Sequence, residues 1–353
     1  MLSMLIKKLF SQAILIPLAL LGSYVSANDF ASYPEFQAVV SDLVAKGHYN
    51  QQELQDIFDG AQSKKKIIEA ISRPAEKNLT WAQYQKIFLD GKRPKQGLNF
   101  WLEHKQTLAK AEKEYGVPAE IIVAIIGVET RYGKHKGNYR VIDSLSTLAF
   151  DYPPRSKFFR SELVEFLILS KEAKINPKEV TGSYAGAMGL PQFISSSYRH
   201  YAVDFNQDGT TNLISDPEDA IGSVANYFKQ HGWKTGEPIT GRATITGKNY
   251  DDIINKNLKP ELTIRDIQKK GLTSVSCQQN LPAENCIDPD LAASATAMKL
   301  EGLKGAEFWL GMQNFYVITR YNHSKLYAMA VFQLSQEIAE LKQQHQLRIG
   351  EAH

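Results

Sequence analysis

Apolar residues recur at helical spacing along most of this chain. Phe36, Val39, Val40 and Leu43, then Leu54, Ile57 and Phe58, mark short amphipathic helices between Tyr33 and about Lys92. Longer helices are predicted from Gly97 to His231. Leu163, Phe166, Leu167 and Ser170 line one face; Ala220, Ile221, Val224, Ala225 and Phe228 line another, with Gly232 as the stop. The run from Pro118 to Gly133 breaks the amphipathic rule, being apolar on almost every position up to Glu129. A helix apolar all round is a buried one. Pro118 suits its first position and Gly133 its end. After Gly232 the pattern changes: Arg242 to Ile245, between Gly241 and Gly247, reads as a strand, and so does Leu262-Thr263-Ile264. Glycines and prolines punctuate the segment to about Gly311, and Phe315 to about His345 returns to helix. No internal repeat is evident.

The expected class is therefore mainly α (α+β), a helical body carrying a small β-containing insertion. The expected divisions are an N-terminal helical domain over 28–96, a helical core over 97–231, a mixed or β-rich insert over 232–311 and a closing helical part over 312–345. Residues 1–27 read as a processing signal. Lys7 and Lys8 precede the apolar stretch Leu9 to Leu21, and Val25-Ser26-Ala27 fits a cleavage site before Asn28. A retained anchor is the alternative, but the stretch contains Pro17 and is short for a membrane span. Leu20-Leu21-Gly22 resembles the start of a lipoprotein signal, yet Ser23 follows where an acylated cysteine would stand, which points to a soluble exported protein. The formal charge of +3 falls to about +1 without Lys7 and Lys8, and gives no argument for nucleic acid. Lys64-Lys65-Lys66 reads as a solvated helix face.

Four constellations carry candidate chemistry. Glu129 ends the buried helix, where desolvation and the negative end of the helix dipole both disfavour a charged carboxylate, so a raised pKa is expected. An acid still protonated near neutral pH suits general acid catalysis; a half-buried Glu129 paired with Arg131 is the plainer alternative. Asp204-Phe205-Asn206-Gln207-Asp208-Gly209-Thr210 places oxygen ligands at positions 1, 3 and 5, a glycine at 6 and a backbone carbonyl at 7, as an EF-hand loop does for calcium. Ser215 stands where the closing Glu is usual. Asp216 reads as a helix N-cap before Pro217, so Asp219 is the better closing ligand; an Asx-rich turn without metal is the alternative. Gly182 to Phe193 is a loop of small residues in which Gln192 can bond a sugar, or simply a tight turn. Asn314 to Ser324, with Tyr327, is rich in tyrosine, which stacks on sugars but is as often core, and Trp81 and Tyr84 invite the same caution. His323 lacks partners for metal. Cys277 and Cys286 can close a local disulfide, typically about 2–4 kcal/mol, or remain two thiols; export favours the bridge.

Together these segments resemble the exported lytic transglycosylases of bacteria, of the membrane-bound B type. Gly127 to Gly133, Phe150-Asp151-Tyr152-Pro153, Gly186-Ala187-Met188-Gly189, the Asp204 loop and Phe315 to Asn322 match in order, and the resemblance runs from about Trp81 to Leu334. It implies a lysozyme-like core, with Glu129 as the single catalytic acid/base. It further implies that Tyr84, Arg155, Ser183, Gln192, Tyr227, Tyr321, Asn322 and Tyr327 line a glycan cleft, and that Asp204, Asn206, Asp208, Thr210 and Asp219 hold a structural Ca2+. No organic cofactor is implied. The expected partners are peptidoglycan glycan strands, with cell-wall synthesis or remodelling proteins alongside, and the expected state is a periplasmic monomer. The implied reaction cleaves the β-1,4 bond between N-acetylmuramic acid and N-acetylglucosamine and forms a 1,6-anhydro product. Two rivals stand beside it. A hydrolytic muramidase needs a second carboxylate, for which Asp143 and Asp151 are the candidates. A non-catalytic wall-binding protein needs only the cleft.

Overall fold

The computed structural model describes residues 28–73, 79–277, 286 and 290–350. The expected signal segment, Ser23 included, lies outside the described residues. The helices are α1 (Pro34–Ala45), α2 (Gln51–Phe58), α3 (Lys65–Ile71), α4 (Trp81–Phe88), α5 (Arg93–Glu103), α6 (Lys105–Tyr115) and α7 (Ala119–Thr130). After them come α8 (Val141–Phe150), α9 (Ser156–Glu172), α10 (Ser195–Tyr201), α11 (Pro217–Gln230), α12 (Ile264–Lys269), α13 (Gln313–Tyr321) and α14 (Lys325–Gly350). The strands are β1 (Tyr139–Arg140), β2 (Thr181–Gly182), β3 (Thr240–Ile245), β4 (Leu262–Thr263), β5 (Leu272–Ser274), β6 (Ser294–Gly302) and β7 (Gly305–Gly311).

Helix α7 is the axis of the body. Its apolar residues from Ile121 to Val128 are all buried, and α5, α6, α11 and α14 surround it. Each fully buried Ile or Val there contributes on the order of 2 kcal/mol. Both ends differ from expectation. Pro118 stands outside the helix in an extended conformation, so α7 begins at Ala119. The helix stops at Thr130, three residues before Gly133, because Arg131 and Tyr132 already adopt left-handed backbone, φ 51° and 60°. The N-terminal helices share this core: Phe36, Leu43, Leu54, Phe58 and Ile67 belong to the same hydrophobic cluster as α7 and α14.

The insert folds as a five-stranded antiparallel sheet in the order β4-β6-β7-β3-β5. Alternation of side chains divides β6 between two cores. Ala295 and Ala297 face a small cluster with Ile264 and Ile267 of α12, whereas Met298 and Leu300 join the helical body, as does Trp309 of β7. Ile264 is helical rather than extended. Thr263 caps α12 by accepting from the Asp266 amide, which ends β4 after two residues. The expected single helix from Phe315 to His345 breaks at 322–324, where Ser324 Oγ accepts from Tyr327 N and starts α14. Cys277 and Cys286 are joined in a disulfide.

Candidate active site

The turn that ends α7 is built by a wedge. Tyr132 folds back under the helix, its hydroxyl donating to the Arg93 carbonyl at 3.0 Å. Gly127 and Gly97 make room for it: a Cβ on Gly127 would lie 2.6–2.8 Å from the Tyr132 ring, and one on Gly97 2.5 Å from its hydroxyl. The Arg93 guanidinium donates to the Gly127 carbonyl at 3.0 Å, a cation at the helix C-terminus as its dipole prefers. Thr130 Oγ1 donates to Leu190 O at 2.9 Å and accepts from Gly133 N at 2.9 Å. Arg131 is committed to Asp90, at 2.9 Å, and to Gln96 Oε1, at 2.8 Å. Thus the left-handed residues Arg131 and Tyr132, costly for side chains with a Cβ, are held by partners on α5 and its approach.

Glu129 emerges from this turn into an open cleft of about 660 Å³. Of the residues expected there, Glu129, Arg155, Ser183, Gln192, Tyr227, Tyr321 and Asn322 line it. Tyr84 and Tyr327 are buried and do not stand among the residues that line it. Tyr327 donates to Glu129 Oε1 at 2.5 Å. Burial and the Glu129 charge push the Tyr321 and Tyr327 hydroxyls well above the ordinary tyrosine range, so both remain donors. Tyr321 donates to Pro191 O at 2.6 Å and Tyr227 to Arg320 O at 2.7 Å. Their rings meet edge to face at 4.9 Å, and Phe193 packs on both. His231 stacks on Tyr227 at 4.0 Å, and burial lowers its pKa, keeping it neutral.

The opposite wall comes from the loop between β2 and α10. Gly189 sits at φ 72° with its Cα against Leu213 O, where any Cβ would stand 2.1 Å away. Gln192, also left-handed at φ 52°, donates its amide to Lys136 O at 3.1 Å and Gly189 O at 3.0 Å. Ser183 Oγ accepts from the amides of Ala185 and Ala187. Arg155 lies over the rings of Phe158 and Phe159 at 4.4 and 5.1 Å. Phe158, Tyr184, Ser197, Arg320 and His323 also line the cleft and were not singled out as site residues. An exposed Phe158 beside an arginine was the available signal.

Glu129 is the one carboxylate among the described residues that line the cleft. Asp143 and Asp151, the candidates for a second, are engaged elsewhere. Arg140 grips both oxygens of Asp143, at 2.9 and 2.7 Å, and the Gln62 amide adds a bond at 3.0 Å. Asp151 accepts from Tyr33 at 2.6 Å and Ser63 at 2.5 Å. Both tie the N-terminal segment to α8, a job neither turn nor cap chemistry predicts.

The Asp204 loop has the expected turn. Asp204 accepts from the amides of Asp208 and Gly209, Asn206 from that of Asp208, and Asp208 from that of Thr210, with Gly209 at φ 87°. Asp216 caps α11 through Oδ1, as its position before Pro217 predicts, and its Oδ2 meets the Asn206 amide at 2.7 Å. Asp219 is fully buried; its Oδ1 accepts from Phe205 N and its Oδ2 from Asn212 N, each at 2.7 Å. The donor set is all hard oxygen, and the Asn206 amide lies 2.7 and 3.4 Å from two carboxylates, where positive charge is favoured. Oxygen donors of this kind are the type calcium takes, while among the described residues no three acidic, histidine or cysteine side chains are gathered closely enough to hold a metal ion.

Comparison with known proteins gives one consistent answer. The chain is 39% identical over 321 residues to membrane-bound lytic murein transglycosylase B of Escherichia coli, covering 88% of this chain and 84% of that protein. A soluble lytic transglycosylase of Pseudomonas aeruginosa superposes with a TM-score of 0.80 at 48% identity, over 88% of this chain and 99% of that one. An E. coli lytic transglycosylase solved in complex with calcium superposes with a TM-score of 0.78 at 40% identity, over 89% and 95%. The family model described as the transglycosylase SLT domain matches residues 31–336. With its helical body, its one-acid cleft and that match, the chain belongs to the transglycosylase SLT domain family.

Proposed function

We propose that this protein is a lytic transglycosylase that cuts the β-1,4 bond between N-acetylmuramic acid and N-acetylglucosamine in peptidoglycan. The observation that carries the reading is an open cleft of about 660 Å³ with Glu129 as its one described carboxylate. A hydrolytic glycosidase with two enzymatic carboxylates needs a partner acid, which Asp143 and Asp151 do not supply.

Glu129 first protonates the leaving O4 of N-acetylglucosamine. The substrate's own N-acetyl group supports positive charge at the muramyl C1. Glu129 then accepts the proton of the muramyl 6-hydroxyl as O6 bonds to C1, which restores the acid and consumes no water. Tyr327, a permanent donor, fixes the carboxyl plane through Oε1. The Tyr227, Phe193 and Tyr321 cluster gives the floor rigidity, and the cleft residues Ser183, Gln192, Asn322 and Arg155 are the polar contacts for sugars.

Asp204, Asn206, Asp208, the Thr210 carbonyl and Asp219 are the proposed calcium ligands. Each Asp219 oxygen that accepts one amide retains a second lone pair. Bound calcium supplies charge neutralisation that stiffens the entrance to α11 and takes no part in bond cleavage. Residues 28–96, 97–231, 232–311 and 312–345 are the proposed divisions, and the periplasm is the proposed location. Among the described residues no helix is long and apolar enough to cross a membrane. Mass spectrometry of soluble products from purified peptidoglycan is the decisive test. Products ending in 1,6-anhydromuramic acid, absent with Glu129→Gln, are expected; reducing-end products would establish a muramidase instead.

A further inference from the structure

We propose that segment 60–64 is a brace that sets the cleft wall carrying Ser183 and Arg155, with Asp151 as the positioning residue through which it holds Arg155. The inference rests on the glycan-cleaving reading above. It adds residues that stand outside the cleft lining.

Helix α8 is where the brace acts. Every residue from Val141 to Ala149 is buried, yet Asp143, Thr147 and Asp151 recur at a spacing of four and so share a face. A polar stripe on a buried helix needs partners from the protein itself. Segment 60–64, neither helix nor strand, supplies them. The Gln62 amide donates to Asp143 at 3.0 Å, the Lys64 amide to Thr147 Oγ1 at 3.0 Å, and Ser63 Oγ to Asp151 at 2.5 Å. Tyr33 donates to the other Asp151 oxygen at 2.6 Å, and its ring packs with Phe30 and Phe36 on Phe150.

Both ends of α8 lead into the cleft. At its start, the Arg140 guanidinium joins the Gly60 carbonyl, at 2.6 Å, to Asp143, at 2.7 Å. Arg140 belongs to β1, which pairs with β2, and Ser183 follows β2 directly. Ser144 Oγ donates to the Ser183 carbonyl at 3.3 Å, and a Cβ on Gly186 would stand 2.5 Å from Leu145. At the other end Tyr152, Pro153 and Pro154 separate Asp151 from Arg155, and the fixed φ of two prolines makes that link stiff. Arg155 lies over Phe158, and both line the cleft. The N-terminal segment thus fixes one face of α8, while the ends of α8 carry polar contacts for sugars. Glu129 stands on α7, so releasing the brace weakens substrate binding and spares proton transfer.

The test is a Tyr33→Phe, Ser63→Ala double variant of the full chain, which removes both side-chain donors to Asp151 and leaves every cleft residue in place. Its KM for glycan strands rises about tenfold, while kcat changes by less than about twofold. Ser63→Thr keeps a hydroxyl and retains the wild-type KM. Leu54→Ala opens the same N-terminal core, where Leu54 is 1% exposed, without removing a hydrogen bond to α8. It lowers Tm and leaves KM alone, which separates positioning from stability. An unchanged KM in the double variant, a fall confined to kcat, or an equal rise of KM in Leu54→Ala overturns the proposal. Failure of the wild type to release anhydro products strikes the catalytic reading instead. The brace is then read by sedimentation with insoluble peptidoglycan, which the double variant binds about tenfold more weakly; equal binding overturns it.

Discussion

Glu129 and Asp219 are both acids at helix ends, and they have opposite surroundings. Asp219 lies in the first turn of α11, and its two oxygens accept the amides of Phe205 and Asn212 from the loop before that helix. Glu129 lies in the last turn of α7, where carbonyls point outward, and it is met by a phenol from a distant helix. Burial lifts Asp219 above the ordinary carboxylate range against the pull of those amides. The difference teaches that an acid wrapped by the backbone amides of its own loop is structural. A C-terminus leaves it dependent on a side chain, and so able to exchange a proton with something else.

The largest effect that sharpens this contrast is the Glu129→Gln substitution. It lowers turnover by about 10³-fold with thermal unfolding unchanged, because general acid catalysis is lost and the side-chain shape is kept. Asp219→Ala should do the reverse. Measured in EGTA, it destabilises by about 3 kcal/mol as two buried amides lose their acceptors. Gly127→Ala drives a methyl into the Tyr132 ring and costs about 2 kcal/mol, read as an earlier denaturation midpoint. Unlike Asp219→Ala it should also lower kcat, since Glu129 rides on that turn. Tyr327→Phe lowers kcat about tenfold with KM nearly constant, as one hydrogen bond to the acid is lost. The smallest effect is calcium removal from the wild type, a fall of a few degrees in Tm without change in cleavage products. An altered product pattern would bring the Asp204 loop into the chemistry and break the contrast.

Much of this was legible in the chain itself. The apolar run before Glu129 predicted the buried helix because a helix with no polar face has no side to turn to water. The Asp204 loop was readable because all its turn-forming groups lie within a few residues. Asp216 was legible as a cap for the same reason. The end of α7 was not. Gly133 looked like the stop, but the wedge of Tyr132 between Gly97 and Gly127 is a contact between helices, and no local rule contains it. Asp143 and Asp151 looked like turn residues, whereas their partners Gln62, Ser63 and Tyr33 lie 81, 88 and 118 positions away, separations that only tertiary structure bridges. The cleft wall of Phe158, Tyr184, Ser197 and Arg320 is likewise assembled from four separate elements. Tyrosine-rich composition marked the right segment near Tyr321. It could not tell that Tyr327 holds the acid, nor that Tyr84 is buried.

The bond from Tyr327 to Glu129 joins positions 198 residues apart. Closing so distant a contact costs loop entropy and requires the intervening helices and the sheet to be accommodated. The cutting centre of a wall-degrading enzyme is thus incomplete until its final helix docks. A chain whose α14 has not docked carries Glu129 without its orienting partner, so the aim of the acid depends on completed packing.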